Sequence, residues 1–158
     1  MSRGDWVQAL YTLAGAPTVE LEAAYSTLKT YQDAVMATNL QCLPAAAWAV
    51  QKGILKGVSS TKLGLEQTLT REQAAAFLQR YSNTLVLNYS KTNGPAASSF
   101  ADYSQLSAYA RDPMNFCTKR YLFQGSKESG KLYLKPKAKL TRAEAGQLLY
   151  NLSQIASR

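Results

Sequence analysis

Apolar residues fall at helical spacing in three stretches that open in the same way. Ser2-Arg3-Gly4-Asp5 is followed by Trp6, Val7, Leu10, Tyr11 and Leu13; Thr70-Arg71-Glu72-Gln73 by Ala74, Ala75, Phe77, Leu78 and Tyr81; Thr141-Arg142-Ala143-Glu144 by Ala145, Leu148, Leu149 and Leu152. Each stretch gathers its apolar side chains on one stripe at a period near 3.6. Each begins with Ser or Thr and carries Asp, Gln or Glu three residues later, the pattern of a capping box. The hydroxyl accepts from the N3 amide, and the N3 side chain reaches back to the amide of the cap. The pattern predicts helices over 2–14, from Thr70 to near Tyr81, and from Thr141 to near Ser153. The starts lie 68 and 71 residues apart, and self-similarity at so long a period predicts a repeat architecture.

Other landmarks recur between the capped helices. Gly15-Ala16-Pro17 stops the first helix. Residues 18–30, with Leu21, Ala24, Tyr25 and Leu28, read as a second helix. Tyr31-Gln32-Asp33 and a polar stretch precede an apolar helix around Pro44 to Lys52, which contains Trp48, Ala49 and Val50 and ends at the turn Gly53-Ile54-Leu55-Lys56-Gly57. The order then returns. Residues 88–99 read as a linker rich in Asn, Ser, Gly and Pro, and Phe100-Ala101-Asp102 echoes Tyr31-Gln32-Asp33. An amphipathic segment leads to Phe116, Cys117 and Thr118, Tyr121-Leu122-Phe123-Gln124-Gly125 echoes the Gly turn, and a basic loop leads to Thr141. Asp33 to Gly57 is 24 residues and Asp102 to Gly125 is 23; Gly57 to Thr70 is 13 and Gly125 to Thr141 is 16.

One choice in the helix starts works against the helix. Arg occupies the first helical position in all three copies, where the helix dipole favours anions. A guanidinium fork beside free helix amides suits an anion, and this reading stands beside a purely structural one for Arg3, Arg71 and Arg142.

Charge and composition narrow the chemistry. The chain has 158 residues, a net charge of +8, and 10 Tyr, a residue common at sugar-contacting and interface surfaces. Residues 1–79 carry six Lys/Arg against six Asp/Glu, whereas residues 80–158 carry twelve against four. Lys127, Lys131, Lys135, Lys137 and Lys139 make the densest basic stretch. It reads either as a patch for polyanions or as a solvated loop. The chain contains no His, no Cys/His cluster of zinc-binding spacing, no phosphate-cradling Gly loop and no nucleophile elbow, so nothing points to an enzyme, a cofactor or a metal. Cys42 and Cys117 could pair, but their apolar helical surroundings favour free thiols. No apolar run approaches the ~20 residues of a membrane span, and no signal peptide is visible. The start almost on top of a helix cap suggests a domain cut from a longer chain.

Taken in order, these landmarks resemble the S-layer homology (SLH) repeat: an aromatic-x-Asp, a helix with Trp-Ala near its end, a Gly-Ile-x-x-Gly turn, and a helix opened by Ile/Leu-Thr-Arg-x-Glu/Gln. The second copy matches through Tyr31-Gln32-Asp33, Trp48-Ala49, Gly53 to Gly57 and Leu69 to Gln73. The third matches through Phe100-Ala101-Asp102, Tyr121 to Gly125 and Leu140 to Glu144. The first is only a C-terminal half, Ser2 to Gly15. The resemblance implies an all-α fold, a pseudo-threefold helical bundle forming one domain over 1–158, with a partial repeat at 2–17 and repeats at 18–87 and 88–158.

It also implies a function: non-covalent anchoring at the bacterial cell surface through secondary cell-wall polysaccharide, with anionic, pyruvylated sugar held in grooves between repeats. Carried over residue by residue, the binding set is Arg3, Arg71 and Arg142 with Thr70 and Thr141 of the same motif, and Lys56 and Trp48 at the turn and groove wall. Departures bear on the number of working grooves. The first repeat lacks its aromatic-x-Asp half and Gly turn, Gln124 stands opposite Lys56, and Tyr121 replaces the first turn glycine. The alternatives are a protein–protein or self-assembly module built from degenerate repeats, and a polyanion-binding accessory domain using Lys127 to Lys139. No specific nucleic acid partner and no catalytic residue is expected.

Overall fold

The computed structural model describes residues 1–35 and 42–157. The polar stretch expected after Asp33 falls largely on residues 36–41 and lies outside the described residues. The chain divides into two compact units, Met1–Thr68 and Leu69–Arg158. The division falls just before the second capped helix, so each unit begins with a capped helix and contains one aromatic-x-Asp and one Gly turn.

The first unit holds α1 (Arg3–Leu13), α2 (Leu21–Leu28), α3 (Gln32–Val35) and α4 (Leu43–Gln51). Ser2 caps α1 in a complete capping box with Asp5. Pro44 sits in the first turn of α4, where its missing N–H costs nothing. Ala45, Ala46, Ala47 and Ala49 are buried. Their small side chains let α4 lie close against α1 and α2, around Trp6, Leu10, Ile54 and Leu63.

The second unit holds α5 (Arg71–Thr84), β1 (Asn88–Tyr89), three single 3-10 turns between Ala97 and Ala110, α6 (Arg111–Lys119), β2 (Ser126–Glu128), β3 (Lys131–Tyr133), α7 (Arg142–Ile155) and β4 (Ala156–Ser157). Thr70 and Gln73 cap α5, and Thr141 and Glu144 cap α7, both as complete capping boxes. Packing of α5 on α6 is the main helix contact, and Phe77, Leu78, Met114, Cys117, Leu122, Leu134, Leu140 and Leu152 fill the core. Cys42 and Cys117 are both buried and free. Burial pushes both thiols above their ordinary range.

The expectation of an all-α, pseudo-threefold bundle is corrected: helices predominate, but the fold is mixed α/β with two small antiparallel sheets. In one, β1 pairs with β4, so residues read as linker contribute an edge to the end of the last helix. In the other, β2 and β3 form a hairpin with Ser126 opposite Tyr133 and Glu128 opposite Lys131. Ser129 and Gly130 both adopt positive φ, at 46° and 80°, as a two-residue type I′ turn requires. The segment was expected as a basic loop because its exposed lysines hide the alternation of a strand. Two of those lysines are ion-paired, Lys135 with Glu128 and Lys137 with Glu72.

The same internal brace appears in both units. Asp33 accepts hydrogen bonds from the amides of Leu63 (2.8 Å) and Gly64 (2.6 Å). Asp102 accepts from those of Leu134 (2.8 Å) and Lys135 (2.7 Å). The aromatic two positions earlier closes on the last glycine of the turn. A Cβ on Gly57 would stand 3.3 Å from the Tyr31 ring and one on Gly125 would stand 2.7 Å from the Phe100 ring, so only glycine leaves the ring room.

Candidate functional site

Arg71 is where the second unit brings helix, turn and loop together. Thr70 holds the start of α5 through its capping box, and the Arg71 and Glu72 amides donate to the Ala138 and Pro136 carbonyls. The side chain therefore leaves the helix from a fixed point. Its Nε donates to the Leu134 carbonyl at 2.7 Å, its Nη1 donates to Glu144 at 2.5 Å, and the guanidinium lies over the Phe123 ring at 5.1 Å. These acceptors offset the conflict with the helix dipole, because a carbonyl oxygen and an anionic carboxylate compensate the charge at the helix start. Two of its five N–H donors are used, and the rest have no acceptor among the described residues.

These groups open into a cleft of about 310 Å³ lined by Arg71, Phe123, Gln124, Glu144, Gln147 and Asn151, with the backbone of Gly125. One wall is the Gly turn and the other is α7. Glu144, Gln147 and Asn151 follow at spacings of three and four, so they share one face of α7, and Gln147 Nε2 donates to Asn151 Oδ1 at 2.7 Å. Burial works against the charge on Glu144, but the amide and hydroxyl of Thr141 and the Arg71 guanidinium outweigh it and hold the carboxyl below its ordinary value. Phe123 is buried beneath the Arg71 guanidinium, so the cleft offers amide donors and acceptors and one ion pair rather than an open aromatic face. That mixture suits a polyhydroxylated ligand, whose hydroxyls take the amides.

The other expected site residues are spread over the two units. Arg3 is buried, donating from Nε and Nη2 to the Leu63 carbonyl (3.2 and 3.1 Å) and from Nη2 to the Lys56 carbonyl (2.7 Å). Lys56 meets Arg3 through that carbonyl while its own side chain is exposed. Trp48 is 4% exposed and packs edge-on against Tyr11 at 5.5 Å. Thr70 and Thr141 spend their hydroxyls on helix amides. Arg142 is exposed on the first turn of α7, outside the cleft lining.

Phe123, Gln147 and Asn151 were not expected at a site. Their sequence signal is weak, since polar residues on an outer helix face ordinarily mean solvation. Glu144 was recognised only as a cap, although its cap partner and Arg71 both lie within reach.

The chain belongs to the S-layer homology domain family, whose model matches residues 30–75 and 99–145. The partial first copy falls outside both matches. Membership places the chain among the repeat-built structural and binding modules of the cell surface. The chain is similar to the surface-layer 125 kDa protein of Lysinibacillus sphaericus, with 27% identity over 160 residues. The match covers 87% of this chain and 13% of that protein's length. No described helix is long and apolar enough to cross a membrane, and the described residues hold no cluster of His, Cys, Asp and Glu suited to a metal.

Proposed function

We propose that this chain anchors a surface protein non-covalently to the bacterial cell envelope by binding secondary cell-wall polysaccharide, and that the cleft at Arg71 is the principal binding groove. The observation that carries the proposal is the half-buried Arg71 fork, fixed by the Leu134 carbonyl and seated over the buried Phe123 ring, open to a cleft walled by three amide side chains. A fixed guanidinium with unused donors takes a planar carboxylate such as a pyruvate ketal at little ordering cost. The amides take ring hydroxyls. Family membership and the surface-layer relative support the envelope setting. Arg142, beside the same helix start as Glu144, is assigned a peripheral electrostatic contact with the acidic polymer.

The test is sedimentation of the protein with purified wall sacculi, with and without their attached secondary polymer. Co-sedimentation that vanishes when the polymer is stripped supports the anchor. The Arg71→Ala, Arg142→Ala double variant should lose it while remaining folded. A double variant that sediments like the parent overturns the site assignment.

A further inference from the structure

Glu144 engages one of the Arg71 N–H groups within reach of the cleft. Its two oxygens are divided between two tasks. Oε2 accepts from the Thr141 amide at 2.9 Å and from the Thr141 hydroxyl at 2.9 Å, while Oε1 accepts from Arg71 Nη1 at 2.5 Å. The cap bonds hold the carboxylate in place, so it does not drift from the cleft when a ligand approaches.

The first task needs no charge. In α5 the residue at the same capping position is Gln73, whose side-chain Oε1 accepts from the Thr70 amide at 3.1 Å while its backbone N–H donates to the Thr70 hydroxyl. A neutral amide completes that capping box. The negative charge of Glu144 is therefore surplus to capping and acts on Arg71. The Glu144 side chain is 40% exposed and Arg71 is 12% exposed, so a ligand reaches the carboxylate before the guanidinium.

We propose that Glu144 is an internal competitor for the ligand's carboxylate and so determines how strongly the cleft prefers acidic over neutral sugars. An acidic sugar must displace Oε1 from Arg71 or bind beside a fixed like charge. A neutral sugar meets neither demand. The inference rests on the cleft being the glycan site.

The variant Glu144→Gln removes the charge while keeping the cap in the form that Gln73 already uses. The probes are a hexosamine glycoside carrying a 4,6-pyruvate ketal and the same glycoside without the ketal, titrated by calorimetry. Glu144→Gln should bind the ketal roughly tenfold tighter than the parent, a larger change than it makes in binding of the neutral glycoside. Equal or weaker binding of the ketal overturns the proposal.

If neither protein binds either glycoside, the glycan reading of the cleft fails, and free pyruvate then decides the role of Glu144. Pyruvate should shift the Arg71 Nε–H resonance of Glu144→Gln at a roughly tenfold lower concentration than in the parent; identical titrations overturn it. Glu144→Asp guards against misfolding of the first variant. Asp5 completes the capping box of α1, and the shorter side chain draws back from Arg71, so this variant should also bind the ketal more tightly than the parent.

Discussion

Asp102 and Arg71 hold the same peptide segment from two sides. The Asp102 carboxylate takes the amides of Leu134 and Lys135, and Arg71 Nε donates to the carbonyl of Leu134. Asp33 and Arg3 grip Leu63 in the same way. The aromatic-x-Asp and the Thr-Arg motif, distant in sequence, are thus two halves of one brace around the loop that precedes the next capped helix. A fixed guanidinium is a by-product of the brace, and the second unit leaves it open to a cleft.

Removal of the brace should cost stability. Asp102 is 4% exposed, so Asp102→Ala strands two amides, one of them buried. The expected loss is about 2–4 kcal/mol, since leaving buried partners of a charged acceptor unsatisfied costs more than the bond itself contributes. Urea unfolding of variant and parent measures it. A loss below about 1 kcal/mol would mean that water replaces the carboxylate.

This brace marks the limit of what the sequence makes legible. The three capped helices are local, set by Ser2, Thr70 and Thr141 and by stripes a few residues long, and they appear where the pattern puts them. Asp33 and Asp102 were visible as landmarks, but their partners lie 30 to 33 residues away, beyond any periodicity. The β2–β3 hairpin was hidden because Lys127, Glu128 and Lys131 are exposed and carry no apolar alternation; Ser129-Gly130 was its one turn signal. At the site, Arg71 stood out because it opposes the helix dipole. Gln147 and Asn151 oppose nothing and so left no mark.

Two positions, one just past a helix and one just past a strand, carry residues unsuited to their backbone. Val86, just past α5, has φ 53° and is exposed, and Lys135 has φ 52°. The residue matching Lys135 in the first unit is Gly64, at φ 70°. A left-handed conformation costs a side-chain-bearing residue roughly 1–2 kcal/mol, most for a β-branched one. Val86→Gly should therefore stabilise the protein by about 1 kcal/mol after the extra entropy of an unfolded glycine is subtracted. Thermal melts check this. Lys135→Gly should gain less, because it also loses the ion pair with Glu128.

Acid should loosen the second unit at a defined place. Glu72 is buried on α5, and it accepts from the amide and hydroxyl of Ser107 and from Lys137 Nζ at 2.6 Å. Burial raises its carboxyl, but Lys137 and Ser107 outweigh it and hold the value below the usual 4.5. A carboxylate depressed in the folded state stabilises above its unfolded value, and that contribution is lost as the pH falls through the folded one. Stability should thus decline below about pH 4.5. Glu72→Gln should flatten this slope, as read by urea midpoints across the pH range. An unchanged slope would assign the acid sensitivity to other carboxylates, Glu144 first among them.

Binding and stability should separate across the cleft. Arg71 serves both, since it braces Leu134 and faces the cleft, so Arg71→Ala should lower the urea midpoint as well as polymer affinity. Gln147 is exposed and Asn151 half-buried on the outer face of α7, and the one bond between them spans a single helical turn. That bond contributes only about 0.2–0.5 kcal/mol to the helix. Gln147→Ala and Asn151→Ala should therefore leave the melting temperature nearly unchanged, yet each should weaken polymer co-sedimentation roughly three- to tenfold, the loss of one neutral hydrogen bond to a ligand. Loss of binding without loss of stability in these two variants would separate a glycan-binding cleft from one that is only the outer side of the brace. Full binding by both would move the polymer contact away from α7, to the exposed Lys127 and Lys131 of the hairpin.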